Sequence, residues 1–283
     1  MRFAYEANAW GGVVGTPGAV TDIASGFYLT PGDVGHTMEA VARAGFEGIE
    51  LFDGNLLNFD GSLEAFRRAA QSEGLEVVGV YSGGHFIFED AHKEELTRFD
   101  RSIQAAAEAG ARHYVIGGGA VRASGRLDED YEVAGSFLDQ VGARAEEAGL
   151  IPSYHPHLGS LAQGPDQIDA LFAQTRIGLC ADVAHIAAGG GNPVAVINKY
   201  ADRLVNVHLK DVDLETNAFL QLGEGHLDMA AIIEAVVATG YNDWITVELD
   251  GFSGDVDAAA VRSLQYLNAS QLGTASTLTH KEL

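Results

Sequence analysis

The sequence predicts a single α/β domain of the (β/α)8, or TIM-barrel, class. Short apolar runs alternate with amphipathic segments along 283 residues, and a chain of this length suits one barrel of roughly 250 residues with insertions. Several helical segments end on a glycine before the next run, as in ARAGFEGIE and EEAGLIPSY. Glycine there permits the left-handed cap that ends a helix. The repeated order of helix, glycine and strand indicates βα units.

The predicted elements follow one another without a linker, a low-complexity block or a change in composition. We expect strands at residues 3–5, 48–52, 76–81, 113–116, 151–155, 177–181, 204–209 and 244–249. We expect helices at residues 32–44, 62–73, 93–109, 128–148, 165–174, 192–200, 228–239 and 255–268. The longest irregular stretch, residues 8–30, follows the first strand, where a long loop commonly lines or covers a site. We expect the barrel to occupy residues 1–270, followed by a C-terminal extension at residues 271–283.

Charge and composition restrict the class of partner. The formal net charge is −23, and such a surface repels nucleic-acid backbones and anionic membranes, so we expect neither as a partner. We find no apolar stretch suited to a signal peptide and no run of ~18 apolar residues. Cys180 is the only cysteine, which argues against a disulfide framework and predicts a cytoplasmic setting. A small-molecule substrate is expected, and a homo-oligomer is compatible with the sequence.

Four polar residues stand at the ends of the last four predicted strands. They are His155, Asp182, His208 and Glu248, and they converge if the strands close into a barrel, because active sites lie at the carboxyl ends of barrel strands. Any one of them could be structural, since polar residues are common in such loops, but four in register favour a site. Imidazole and carboxylate ligands together suit Mn, Co, Fe or Zn better than Ca or Mg. We therefore predict one divalent metal ion, with Mn²⁺ preferred and Co²⁺, Mg²⁺, Fe²⁺ or Zn²⁺ as alternatives.

The predicted ligands have polar neighbours that face the same way. His157 and Lys210 each follow a predicted ligand by two residues, in HPH and HLK, and alternate side chains of a strand share a face. His185 follows a ligand by three residues in DVAH, which gives a shared face if a helix begins there. Imidazoles near their unperturbed pKa can act as acid or base. We interpret His157, His185, Lys210 and Glu248 as candidate catalytic groups.

Four further residues are candidates for substrate binding. They are Glu50 at the end of the second strand, Trp10 in the first loop, His85 in SGGHFIF and Glu224 in LGEG. Each has an ordinary alternative, such as a salt bridge, core packing or a loop cap. The glycines at residues 117–119 lack the G-x-G-x-x-G pattern, which argues against a dinucleotide site. There is no G-x-S-x-G motif, so nucleophilic catalysis has no obvious residue.

Five motifs resemble those of a known superfamily. YHPHLG, CADVAHIAAGGGNP, VHLKDVD, LGEGHLD and WITVELD are similar to segments of the xylose-isomerase-like barrels, called sugar phosphate isomerases/epimerases. Within this superfamily, the likeness is greatest to the inosose (2-keto-myo-inositol) dehydratases. The resemblance extends from the second strand to the eighth and implies a mononuclear metal held by His155, Asp182, His208 and Glu248. Many members carry Glu where this chain has His155.

The resemblance implies metal-dependent chemistry beside the carbonyl of a keto-sugar or keto-inositol. Epimerases of this superfamily place one Glu on each side of the substrate, whereas here Glu248 is the only carboxylate of that pair. This asymmetry favours a lyase that removes an α-proton and expels a β-substituent, acting on an inosose or a 3-keto-glycoside. A ketose epimerase or isomerase is the main alternative. A metal-dependent endonuclease on the same barrel is disfavoured by the net charge, and a non-catalytic sugar-binding barrel by the complete set of predicted ligands.

Overall fold

Eight parallel strands close into a barrel. A computed structural model describes residues 1–10, 20–21 and 26–270. The barrel strands are β1 Arg2–Glu6, β2 Gly48–Phe52, β3 Glu76–Gly84, β4 His113–Gly118, β5 Ile151–His155, β6 Gly178–Asp182, β7 Leu204–Leu209 and β8 Trp244–Val247. Each strand pairs with its neighbours in sequence, and β1 closes the ring by pairing with both β2 and β8. The predicted TIM barrel is confirmed.

Helices surround the barrel and connect its strands. Over the described residues they are α1 Val34–Ala44, α2 Asp53–Leu57, α3 Leu63–Ser72, α4 His92–Ala109, α5 Asp128–Glu147, α6 Pro165–Phe172, α7 Val183–Ala188, α8 Pro193–Lys199, α9 Met229–Ala238 and α10 Val256–Ala269. All eight expected helices are present. Two end on glycines in the left-handed region, Gly45 at φ 99° and Gly110 at φ 84°. The short α2 was not predicted, because five residues are too few to show a helical period.

Two short antiparallel strand pairs lie outside the barrel in the described part of the chain. Val20–Thr21 pairs with Tyr28–Leu29, and Asp211–Asp213 pairs with Ala218–Leu220. The first pair belongs to the long loop after β1. Residues 11–19 and 22–25 of that loop, like the expected extension at 271–283, lie outside the described residues, so its expected covering role stays a prediction.

The core fills the barrel and the layer between strands and helices. All five residues of β2 are buried, as expected for a parallel strand covered on both faces. At the amino-terminal end of the strands, Arg112 Nε donates a hydrogen bond of 2.7 Å to Asp243 Oδ2. These two residues precede β4 and β8, which lie opposite each other in the ring. Within the described residues, no helix combines the length and apolar character needed to cross a bilayer.

Candidate metal centre and active site

The carboxyl ends of β5 to β8 bring the four predicted metal ligands together. His155 and Asp182 are the last residues of their strands, His208 lies within β7 and Glu248 follows β8. One potential ligand atom of each lies within 4.8 Å of the others, and all four residues are buried. His155 Nε2 is 3.4 Å from Asp182 Oδ2 and 3.5 Å from Glu248 Oε2. His208 Nδ1 is 2.8 Å from Glu248 Oε2.

Several polar atoms of this cluster lack a hydrogen-bond partner among the described residues. They are both ring nitrogens of His155, Nε2 of His208 and Oδ2 of Asp182. Buried polar atoms ordinarily have partners, so these atoms mark a place where a further group fits. Two imidazoles and two carboxylates form a donor set suited to transition-metal dications. The residues present therefore fit a divalent metal ion.

Lys210 is a fully buried cation beside the cluster. Its Nζ is 3.1 Å from Asp182 Oδ2 and 3.1 Å from Glu248 Oε1. It also donates a short hydrogen bond to Asp250 and lies 3.2 Å from His185 Nε2. Burial lowers the pKa of Lys210, but the nearby carboxylates raise it well above its usual value. The ammonium therefore stays charged and balances the acidic groups around it.

The carboxylates of Asp182 and Glu248 are ionised because the charged Lys210 lies close to them. Burial raises the pKa of Asp182, but Lys210 and His185 lower it by more, so it lies well below its usual value. Glu248 follows the same pattern, with burial outweighed chiefly by Lys210. Both side chains are thus in the form that binds a cation.

His157 and His185 form a second group next to the ligands. Their ring centroids are 3.8 Å apart, and His185 Nε2 lies 3.2 Å from Asp250 Oδ2. Burial lowers the pKa of His157, and the neighbouring His185 lowers it further. His157 Nδ1 lies 2.8 Å from the Leu158 carbonyl oxygen, which places the ring proton on Nδ1 and leaves Nε2 as an acceptor.

Two further carboxylates, Glu6 at the end of β1 and Glu50 in the middle of β2 and not at its end as expected, approach His208. Glu50 Oε1 lies 3.0 Å from His208 Nε2, and Glu6 Oε2 lies 3.7 Å from His208 Nδ1. Burial raises the pKa of Glu6 well above its usual value, and the charges of Glu248 and Glu50 raise it further. Glu50 is therefore placed to contact a ligand nitrogen, while the neutral form of Glu6 is favoured.

The other candidates for substrate binding are more scattered. Trp10 Nε1 donates a hydrogen bond of 2.8 Å to Asp257 Oδ1 in α10, and its ring packs on Tyr5. His85 borders a cavity, with 71% of its side chain exposed. Glu224 is exposed in the loop before α9. Among the described residues, it belongs neither to the candidate metal cluster nor to the lining of the cavity.

A cavity of about 710 Å³ lies next to the metal cluster. Glu248 and His157 line the part nearest the cluster, and aromatic residues, glycines and polar side chains of α4 line much of the rest. The His155 ring contacts the ring of Tyr81, one of these aromatic residues, at 5.5 Å between centroids. The cavity thus connects the candidate metal site with a larger space.

Sequence reasoning did not single out Asn8 or Tyr81. Asn8 Nδ2 donates hydrogen bonds of 3.0 Å to Glu248 Oε1 and 2.8 Å to Asp250 Oδ1. Asn8 follows the end of β1 by two residues, so the strand-end argument applied to β1 would have indicated it. Tyr81 lies inside an apolar run that resembles any buried strand, and its sequence carries no signal of its place in the site.

The fold and the site together define a class: a closed (β/α)8 barrel with buried imidazole and carboxylate side chains clustered at the ends of its last four strands. A family model described as xylose isomerase-like TIM barrel matches residues 38–270, and the chain belongs to that family.

Curated relatives and solved structures extend this likeness. The chain is 26% identical over 272 residues to the rhizopine catabolism protein MocC of Rhizobium meliloti, covering 84% of this chain and 81% of that protein. It is 26% identical over 242 residues to an inosose dehydratase of Clostridium beijerinckii, covering 74% and 80%. Relatives with enzyme names support an enzymatic role for this chain.

Two solved structures share the fold at low identity. An L-ribulose 3-epimerase has a TM-score of 0.75 at 18% identity and covers 100% of both chains. The IOLI protein, described with a binding zinc atom, has a TM-score of 0.72 at 17% identity and covers 99% of this chain and 100% of its own.

Proposed function

We propose that this protein is a divalent-metal-dependent lyase that acts on a keto-polyol or keto-sugar by α-proton abstraction and β-elimination. The cluster of His155, Asp182, His208 and Glu248 carries the proposal, because these buried side chains would hold the ion. A bound dication would polarise the substrate carbonyl and make the adjacent C–H more acidic. Manganese is our first choice, with Co²⁺, Fe²⁺, Zn²⁺ and Mg²⁺ as alternatives, and the zinc named for the IOLI protein supports a metal in this fold.

His157 takes the α-proton in the proposed reaction. It is the imidazole beside the metal cluster that lines the cavity, and its acceptor nitrogen is free because Nδ1 faces the Leu158 carbonyl oxygen. The His185 ring packs against it at an angle of 42° and lies close to Asp250, so the charge gained by His157 is shared with a buried acidic group. General bases of this kind contribute about 10²–10⁴ to a rate.

The proton then moves from His157 to the departing oxygen. The C–H bond next to the carbonyl and the C–O bond one carbon further break, a C=C bond forms, and the leaving group departs as an alcohol or as water. Lys210 keeps Asp182 and Glu248 ionised and supplies fixed positive charge at 3.1 Å from each. One acid–base group on one face is sufficient for this sequence of steps.

The relatives support an elimination on a keto-cyclitol or a related compound. The name inosose dehydratase describes removal of water from a keto-inositol, and that relative spans most of this chain. We propose an inosose or a 3-keto-glycoside as substrate. The likeness to these relatives, at 26% identity over 84% and 74% of this chain, supports the reaction class more strongly than the individual compound.

A ketose epimerase or isomerase is the second candidate. Glu248 and His157 both line the cavity, and an epimerase needs two proton-carrying groups that reach the substrate from different sides. The lyase is preferred because Glu248 is engaged by His208, Lys210 and Asn8, which leaves it poorly placed to exchange a proton with a substrate.

The two candidates give different products from the same substrates. Metal-loaded protein is incubated with an inosose and a panel of keto-sugars, and the mixture is followed by enone absorbance, mass spectrometry and NMR. A lyase gives a product that has lost water or an alcohol. Clean interconversion of two ketoses of equal mass, without an elimination product, would overturn the lyase and support the epimerase. No turnover with or without added metal would contradict both.

A further inference from the structure

The cavity next to the metal cluster is larger than a single sugar ring requires. Its volume of about 710 Å³ falls within the range of roughly 300–1,000 Å³ typical of pockets for drug-sized ligands. Glu248 and His157 line the part beside the cluster, where the keto ring is proposed to react. Residues at the ends of β2 to β4 and after β4 and β5, residues of the loop after β1, and residues of α4 line the remainder.

Three aromatic rings form one wall of that remainder. Tyr28, Phe52 and Tyr81 contact one another at centroid separations of 5.4 to 5.7 Å in tilted or edge-to-face geometry. Tyr81 also contacts His155, so the wall reaches the metal cluster. Rings in this arrangement pack well against a further aromatic ring or an apolar face.

Glycines form another part of the cavity lining. Gly83 and Gly84 at the end of β3, Gly118 at the end of β4 and Gly119 after it line the cavity. A Cβ at Gly83 would meet the Tyr28 ring, and a Cβ at Gly119 would meet Leu161 at 2.7 Å. Glycine at these positions therefore lets the Tyr28 ring and Leu161 pack directly against the backbone beside the cavity.

Charged side chains of α4 also line this part of the cavity, and two of them have protein partners. Arg98 donates to the Gly83 carbonyl oxygen and lies 3.8 Å from Asp53 Oδ2. Glu95 accepts hydrogen bonds from the backbone N–H groups of His85, at 2.7 Å, and Phe86, at 3.2 Å. Glu94 and Arg101 line the cavity as well, so a bound group would meet aromatic rings, peptide groups and charged side chains of α4.

Two exposed apolar side chains lie beside residues that line the cavity. Phe88 and Val121 are each 37% exposed. The Phe88 ring lies 6.4 Å from the ring of His85, and Val121 follows Ala120; both His85 and Ala120 line the cavity. Exposed apolar groups at the edge of a pocket commonly mark a binding surface.

We propose that this cavity is a subsite for an aromatic aglycone attached to the keto-sugar at the metal cluster. The inference rests on the proposed lyase and specifies its substrate as a 3-keto-glycoside with an aromatic leaving group. His157 removes the proton from C2, the bond from the anomeric carbon to the aglycone oxygen breaks, and a C1–C2 double bond forms. The proton passes to the departing oxygen and a phenol is released.

Binding to unoxidised glucosides tests the subsite without any reaction. Isothermal titration of the metal-loaded protein with phenyl and methyl glucosides should show at least about tenfold tighter binding of the phenyl compound. Thr97→Trp places a large side chain into the cavity from α4, away from the cluster, and should abolish this preference. Gln104→Trp is the matched control, because Gln104 is exposed on the same helix outside the cavity lining. Equal binding of both glucosides, or a preference that survives Thr97→Trp, would overturn the subsite.

Turnover with keto substrates separates this inference from the proposed function. Phenyl 3-keto-glucoside, methyl 3-keto-glucoside and an inosose are compared with the same protein. A phenyl preference in binding without elimination of any substrate would support the subsite and overturn the lyase. Elimination of the inosose without any phenyl preference would support the lyase and overturn the subsite.

Discussion

Lys210 allows three carboxylates to share a buried site. Asp182, Glu248 and Asp250 all lie within reach of its ammonium, which is fully buried. Without a cation, ionised carboxylates this close would repel one another, and one would take up a proton. The ammonium keeps Asp182 and Glu248 ionised, the form in which a carboxylate binds a dication.

The first prediction at this scale concerns the metal. His208→Ala removes a ligand nitrogen that has carboxylate neighbours on two sides, so bound metal and turnover should fall together. Metal content is measured by plasma emission spectrometry after dialysis, alongside elimination rates. Glu234→Gln, on the exposed face of α9, is the control and should retain both. If chelation leaves wild-type turnover intact, the four residues are not a catalytic metal site.

The second prediction concerns the proton-carrying imidazole. His157→Ala should retain bound metal but lose kcat by about 10²–10⁴, the usual scale for loss of a general acid–base group. His185→Ala should show a smaller loss, because His185 stands behind His157 and does not line the cavity. His36→Ala, on the exposed surface of α1, is the matched control. An unchanged kcat in His157→Ala would show that His157 is not the base and would make Glu248 the next candidate.

At the scale of elements, the strand ends were predictable and the cavity was not. A buried parallel strand has a short, strongly apolar run, so the positions of His155, Asp182 and His208 at or near the ends of their strands follow from local sequence. The three-way contact of Tyr28, Phe52 and Tyr81 depends on three separate segments meeting after the barrel closes. Nothing local in the sequence distinguishes those rings from ordinary core residues.

Asp211 shows how one side chain organises the connection between β7 and α9. Its buried carboxylate accepts N–H hydrogen bonds from Gly223 at 3.0 Å, Gly225 at 2.9 Å and Leu227 at 3.2 Å. A Cβ at Gly225 would collide with this carboxylate. The HLKD and LGEG motifs are therefore coupled, because the acidic residue of the first holds the loop of the second.

Asp211→Ala should lower the free energy of unfolding by about 1–3 kcal/mol, because it leaves buried N–H groups without an acceptor. The change is measured by urea unfolding followed by circular dichroism. Asp202→Ala is the matched control, since Asp202 is exposed, and should stay within about 0.5 kcal/mol of wild type. Equal stability of the two variants would show that the Asp211 hydrogen bonds do not hold the loop.

At the scale of the whole molecule, the candidate active site and a cross-barrel ion pair lie at opposite ends of the barrel. The carboxyl ends of the strands carry the predicted metal ligands and the cavity, whereas the residues before β4 and β8 meet at the other end. There Asp243 Oδ2 lies 2.7 Å from Arg112 Nε and 3.4 Å from His113 Nε2. Since β4 and β8 are opposite in the ring, this contact joins two strands that share no backbone pairing.

This cross-barrel contact predicts a pH-dependent stability. Burial raises the pKa of Asp243, but hydrogen bonds from His113 and Arg112 lower it by more, so it lies well below its usual value. A carboxyl group whose pKa is depressed on folding stabilises the protein above its unfolded pKa of about 3.9, and that stability is lost as the pH falls through the folded pKa. Asp243→Asn should therefore lower the free energy of unfolding by about 1–2 kcal/mol at pH 7. The difference in this free energy between the variant and the wild type should become smaller below about pH 4.

Urea unfolding of wild type and Asp243→Asn across this pH range measures the difference directly. Asp202→Asn serves as the control and should show no such narrowing, because Asp202 is exposed and makes no contact across the barrel. Comparing the two proteins at each pH removes the contribution of the other acidic residues. A difference that stays constant from pH 7 to pH 3, or grows as the pH falls, would show that the ionised Asp243 does not stabilise this end of the barrel.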